Sequence, residues 1–229
     1  RVHHAFLFSG TRGVGRTTVA RLLAKALNCE RGVTSKPCGE CGACRGAEEG
    51  RFIDLIEIDA ASRTRVDDTR EILDNVQYAP TQGRCKVYLI DEVHMLSTHS
   101  FNALLKTLEE PPDQVVIILL ALDVANVLPT ILSRCRRIDL RPVGAVIIAD
   151  LLYRLYTTDR QLAEEVARMS RGRIGWAIQA TQEPEMLEAI SDRLHAIEQT
   201  VASSLEARFE YAEQLARRFA QDRAEVLEE

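Results

Sequence analysis

No apolar run in the 229 residues approaches the roughly 18 that a membrane helix needs, and no charged-then-apolar-then-small leader opens the chain. A cytoplasmic protein with no membrane partner is therefore expected. Positive charge is also short: 29 Lys and Arg stand against 34 Asp and Glu, a net charge of -5. That balance argues against a monomer that grips nucleic acid by overall basicity, and no basic stripe marks a face for it. Any role on nucleic acid would be shared with partners. Internal repeats and low-complexity segments are missing, and the first residue is Arg1 instead of Met, so an upstream piece is expected. What is present is ordinary globular composition, 46% hydrophobic and 28% charged, in a length that suits one large or two modest domains.

Apolar runs and helical spacings alternate through the first half of the chain. His4 to Phe8 reads as a buried strand, and Val19, Leu22, Leu23, Ala26 and Leu27 recur at helical spacing after it. Further strands are expected at Phe52 to Ile58, Lys86 to Ile90, Val115 to Leu122 and Ile138 to Leu140. Helices are expected at Val66 to Val76 and Phe101 to Leu108. Such alternation indicates an α/β fold, a parallel sheet with helices on both faces. Beyond Pro142 the β-type runs vanish. Helical periodicity takes over in Val143 to Tyr156, Gln161 to Met169 and Ile174 to Ala180, and Pro184 marks a boundary before a long amphipathic stretch from Leu187 to Phe219. Three parts follow: 1–141, 142–183 and 184–229.

Four motifs carry chemistry. Gly10 to Thr17 has the frame of a phosphate-binding loop between strand and helix, with Arg16 in the place of the usual lysine. Its glycines let backbone N–H groups face phosphate oxygens, the helix offers its positive end, and Thr17 supplies a hydroxyl to Mg²⁺. The plainer reading is a Gly-rich turn. In KVYLIDEVHML an apolar strand ends in Asp91 and Glu92, as a site needs that holds Mg²⁺ and activates a water. Two solvated acids are the plainer alternative. Cys29, Cys38, Cys41 and Cys44 have the spacing Cys-x8-Cys-x2-Cys-x2-Cys, which suits a closed, structural Zn²⁺ site and otherwise means four reduced thiols. In LPTILSRC, Arg134 is either a surface arginine or an arginine finger for a neighbour's nucleotide. The histidines show no ligand spacing, His94 and His99 standing at i, i+5, and Trp176 is expected in a core.

Taken together, HHAFLFSGTRGVGRTT, the four-cysteine insert, DLIEIDAASRTRVDDTREILDNVQYAP, KVYLIDEVHMLSTHSFNALLKTLEEPP and LPTILSRC closely resemble the bacterial DNA polymerase III gamma/tau family, the ATPases of the sliding-clamp loader. The resemblance implies an AAA+ module with a zinc insert, a three-helix lid and the start of a helical collar. Its partners would be the other subunits of a pentameric ring, the sliding clamp and primer-template DNA. It assigns Gly10, Gly13, Gly15, Arg16, Thr17, Thr18 and Asp91 to ATP and Mg²⁺, Glu92 to the attacking water and Arg134 to the adjacent subunit's ATP. The four cysteines go to zinc.

Three departures from that family fall on parts that meet the γ-phosphate. Arg16 keeps the charge of a lysine but is larger and planar, which misplaces it. Ala121 to Asp123, with Leu122 at its centre, stands where the family has a Thr pair. In the lid, GRIGWA puts Gly175 where the family has an arginine. From about Val115 the chain also resembles the delta-prime family, which keeps the Ser-Arg-Cys arginine and does not hydrolyse ATP. The expectation is a clamp-loader subunit whose own hydrolysis is impaired. The alternative is a non-hydrolysing stator that contributes only Arg134.

Overall fold

The computed structural model describes residues 2–60, 76, 78–157 and 159–228; all of the helix expected over 66–76 except its last residue lies outside them, as do the side chains of His99 and Phe219. Five strands, β1 Ala5–Ser9, β2 Leu55–Asp59, β3 Lys86–Asp91, β4 Val115–Ala121 and β5 Arg136–Asp139, form one sheet in the order β2-β3-β4-β1-β5. Every pairing is parallel. Parallel strands need crossovers, which cover both faces with helices and make the strands apolar throughout. β4 accordingly reads VVIILLA and is buried at all seven positions.

Alternation along the strands divides the core into two layers. Phe6, Phe8, Val87, Leu89, Val116, Ile118 and Leu120 face one side, where Ala20, Ala24 and Leu27 of α1 (Arg16–Asn28) and Ala43 and Ala47 of α2 (Gly42–Glu48) pack on them. Leu7, Tyr88, Ile90, Ile117 and Leu119 face the other side, against Leu104 and Leu108 of α3 (Thr98–Glu109) and Ile131 of the short α4 (Pro129–Leu132). α3 starts where Ser97 accepts the Ser100 N–H, and ends one residue short of Glu110, with Pro111 and Pro112 following.

Three helices complete the first compact unit, Arg1–Ala177: α5 Ala145–Leu155, α6 Arg160–Met169 and the first residues of α7 Ile174–Gln182. Asp159 caps α6 by accepting from the N–H groups of Gln161 and Leu162. The second unit, Ile178–Glu229, carries α8 Pro184–Ala202 and α9 Leu205–Glu228, with Leu194, Ile197, Val201, Leu205 and Phe209 exposed along them. No helix of the described residues is long and apolar enough to cross a membrane.

The strand expected from Phe52 begins only at Leu55, because Asp54 turns the chain into an anchor. Asp54 is fully buried, and its two carboxylate oxygens accept from the backbone N–H groups of Thr81, Gln82 and Gly83 at 2.7, 2.7 and 2.6 Å. These contacts tie the approach to β3 onto the start of β2. Burial pushes the carboxyl up, but the three N–H donors and Lys86 outweigh it and hold the group below its ordinary value. Its stabilisation is therefore complete above about pH 5 and is lost as the pH falls through the folded value. Asp54→Asn places an amide N–H₂ among N–H donors, and we expect it to cost about 2–4 kcal/mol in urea unfolding at neutral pH. The gap between parent and variant should narrow below about pH 4, and a gap independent of pH would contradict this role.

Candidate functional site

The parallel register brings three strand ends to one edge of the sheet. Ser9 at the end of β1 pairs with Ala121 at the end of β4, and Ile90 of β3 pairs with Leu119. The loop Gly10 to Gly15 leaves β1 there and enters α1. Gly10 donates its N–H to Ala121 O at 3.2 Å, and a Cβ on it would lie 2.4 Å from Leu140 O, so no larger residue fits. Gly15 caps α1 at φ +96 with open space around its Cβ position, and the first turn of the helix holds no acid. An anion can therefore approach the free N–H groups of the helix start unopposed. Thr17 is half-buried and Thr18 exposed on that turn.

Arg16 points inward. It is only 8% exposed, its Nη2 lies 3.8 Å from Glu92 Oε1, and its buried Nη1 makes no hydrogen bond among the described residues. Asp91, half-buried at the end of β3, accepts the Glu92 N–H on its Oδ1 at 2.8 Å. Glu92 follows with φ 47 and ψ 48, a left-handed conformation that costs a non-glycine residue of order 1–3 kcal/mol and is a frequent mark of functional sites. Its buried carboxylate has two further neighbours that the motifs did not single out, one an arginine and one a histidine. Arg12 Nη2 lies 3.8 Å from Oε1, and His94 Nδ1 lies 3.6 Å from Oε2. Arg12 occupies a loop position that the motif leaves free, so its type carried no signal. Leu122 is half-buried just past Ala121, while Asp123 is exposed and accepts the Ala125 N–H.

Arg134 stands apart from this group. It follows α4, and its Nη2 donates to Glu109 Oε1 at 2.7 Å while Nη1 donates to Thr130 O at 2.8 Å. The side chain is 34% exposed. It is held at the surface and is not directed into the loop of its own chain.

Cys29, Cys38, Cys41 and Cys44 converge at the ends of α1 and α2, their sulfurs all within 4.8 Å of one another. Tetrahedral Zn–S bonds of about 2.3 Å separate sulfurs by about 3.8 Å. Cys38 and Cys44 Sγ stand 3.9 Å apart, so the residues fit such an ion. Backbone N–H groups of Cys41 and Glu40 hold the Cys38 thiol down to about 6 against its partial desolvation, while burial pushes Cys44 up to about 12. The module is joined to the sheet through Asn28, whose Oδ1 accepts from Arg84 N and Cys85 N, both at 2.9 Å, and through the Arg84 guanidinium on Cys29 O. The helix Gly42–Glu48 inside this segment has no counterpart in the sequence reading, since seven residues rich in Gly, Ala and Cys show no periodicity.

Comparison with known proteins bears on the family and the fold. Residues 1–144 match the model of the family described as DNA polymerase III, delta subunit. The chain is 69% identical over 141 residues to the DNA polymerase III subunit tau of Escherichia coli strain K12, covering 62% of this chain and 22% of that protein. Identity to subunit tau/gamma of Haemophilus influenzae is 60% over 167 residues, 73% of this chain and 24% of the relative. The chain thus spans about a quarter or less of the length of these relatives. A crystal structure of a gamma subunit-related protein from Thermotoga maritima superimposes with a TM-score of 0.56 at 24% identity, covering 79% of this chain and 53% of that one, which shows the shared AAA+ fold.

The cysteine geometry generates a metal test. We expect the purified chain to release one Zn²⁺ per molecule when its thiols are titrated with a mercurial. Cys44→Ser should abolish that release and lower Tm by about 5 °C or more. A chain with no bound metal and an unchanged Tm would exclude the site.

Proposed function

The chain belongs to the DNA polymerase III, delta subunit family, and from that premise we propose that it is a subunit of the bacterial clamp loader, which places the sliding clamp on primed DNA in the cytoplasm. Within it, 1–141 is the nucleotide-binding domain, 142–183 the lid and 184–229 the start of the collar that joins a pentameric ring. The loop Gly10 to Thr18 takes the phosphates of ATP, Asp91 and the Thr17 hydroxyl take Mg²⁺, and the four cysteines take Zn²⁺ as a structural ion. Bound Mg²⁺ would supply charge neutralisation at the outer phosphates.

The observation that carries the rest is the Arg16–Glu92 pair, 3.8 Å apart and buried. Glu92 is the general base of this reading and must accept a proton from the attacking water. A guanidinium facing it holds the carboxylate by charge and competes with water for its oxygens. A lysine ammonium at the same place is a more compact point charge. Arg16 thus both misplaces the loop cation and occupies the base, so ATP is held and hydrolysed slowly. Leu122 and Gly175 remove two further contacts to the γ-phosphate. Arg134, half-buried at the surface and steadied by Glu109 and Thr130 O, retains its use toward a neighbour's nucleotide.

ATP binding and turnover measured side by side on the chain and on Arg16→Lys test the reading. We expect saturable binding by both and turnover raised about tenfold or more by the lysine. Equal turnover by the two would sink it. In a reconstituted loader, Arg134→Ala should lower the ATPase of a partner subunit by about 10³-fold and leave nucleotide binding to this chain unchanged.

A further inference from the structure

The lid is not without an arginine on the phosphate loop. Gly172 turns the chain at φ +85 ahead of α7, and Arg173 follows it. The side chain of Arg173 lies across Gly13, in the middle of the loop: a Cβ built on Gly13 would stand 2.9 Å from Arg173 Cδ and 3.1 Å from its Cγ. The absent side chain at Gly13, itself at φ +82, is what lets the aliphatic stem of Arg173 reach the loop backbone. The head group is oriented at its near edge. Nε donates to Ser170 O at 3.0 Å, and the guanidinium carbon lies 5.5 Å from the centre of the Trp176 ring. The two terminal nitrogens donate to no described residue, so the fork that suits a phosphate is unspent. Gly175, two positions on, is exposed and has nothing within 4 Å of its Cβ position.

We propose that Arg173 is a nucleotide-contacting residue of this chain, a lid cation that takes the terminal phosphate of ATP over Gly13. It does from two positions earlier what no side chain does at 175. The inference rests on the reading of Gly10 to Thr18 as an ATP site. It also gives Trp176 a function: the indole is half-buried, not in a core, and its face steadies the guanidinium.

The test is a titration of ATP and of ADP, each with Mg²⁺, against the full chain, Arg173→Ala and Arg173→Lys, together with Tm in the absence of nucleotide. We expect Arg173→Ala to weaken ATP about tenfold or more and ADP clearly less, as loss of one charge-assisted contact to the last phosphate requires. Arg173→Lys should recover part of the ATP affinity, and Tm without nucleotide should stay within a few degrees. Unchanged ATP affinity in Arg173→Ala, or equal weakening of ATP and ADP, would overturn the proposal and leave the ATP site standing. A parent chain that binds neither nucleotide would overturn both.

Discussion

The register between β1, β4 and β3 is the constraint on which the rest of the molecule depends. Because these strands run parallel and end level, Ser9 beside Ala121 and Ile90 beside Leu119, the phosphate-type loop and the acidic pair leave the sheet at one edge. A slip of one residue in β3 would turn Tyr88 and Ile90 into the layer that Val87 and Leu89 occupy and carry Asp91 and Glu92 away from the loop. The apolar burial of both faces prevents the slip, so packing energy and site geometry share a cause. Asp54 adds to this by fixing the segment 81–83 that delivers the chain to β3.

At that edge the charges are unevenly matched. Glu92 faces Arg12, Arg16 and His94, and only Arg16 among them is as buried as the carboxylate. Long-range attraction is strong in such a dry place, but 3.8 Å is outside hydrogen-bond distance and one guanidinium nitrogen has no hydrogen bond among the described residues. Such an arrangement is stable enough to persist and leaves donors unspent for an anionic ligand. The aliphatic stem of Arg173 lies over Gly13 of the same loop. Two arginines, Arg12 and Arg16, thus stand 3.8 Å from one carboxylate at the edge where the loop leaves the sheet.

Much of the α/β order was legible in advance because parallel strands buried on two faces are continuous apolar runs. β4 is the clearest, and β1, β3 and the helices after Pro142 lie within a few residues of their expected positions. β2 begins at Leu55 and not at Phe52, because Phe52 and Ile53 lengthen the apolar run while Asp54 after them serves as an anchor for three backbone donors. The short helix Gly42–Glu48 was illegible because a seven-residue segment, five of its residues small, carries no period. The loop glycines, the Asp91–Glu92 pair and the cysteine cluster are each legible as motifs because each is short in sequence, whereas the meeting of loop and acidic pair at one edge depends on the strand register.

Sequence alone determined the residue types and their order: an arginine after Gly15, two acids after an apolar strand, four cysteines at short spacing, and a glycine at 175. Those follow from composition and neighbourhood, which a linear reading contains. Only the tertiary structure decided which distant groups meet. That Arg16 faces Glu92, that Glu109 holds Arg134, and that Arg173 lies on Gly13 depends on strand register and on the turn at Gly172. Side-chain reach is a few ångströms while these pairs are far apart along the chain, so the backbone must first bring them together before charge and shape can act.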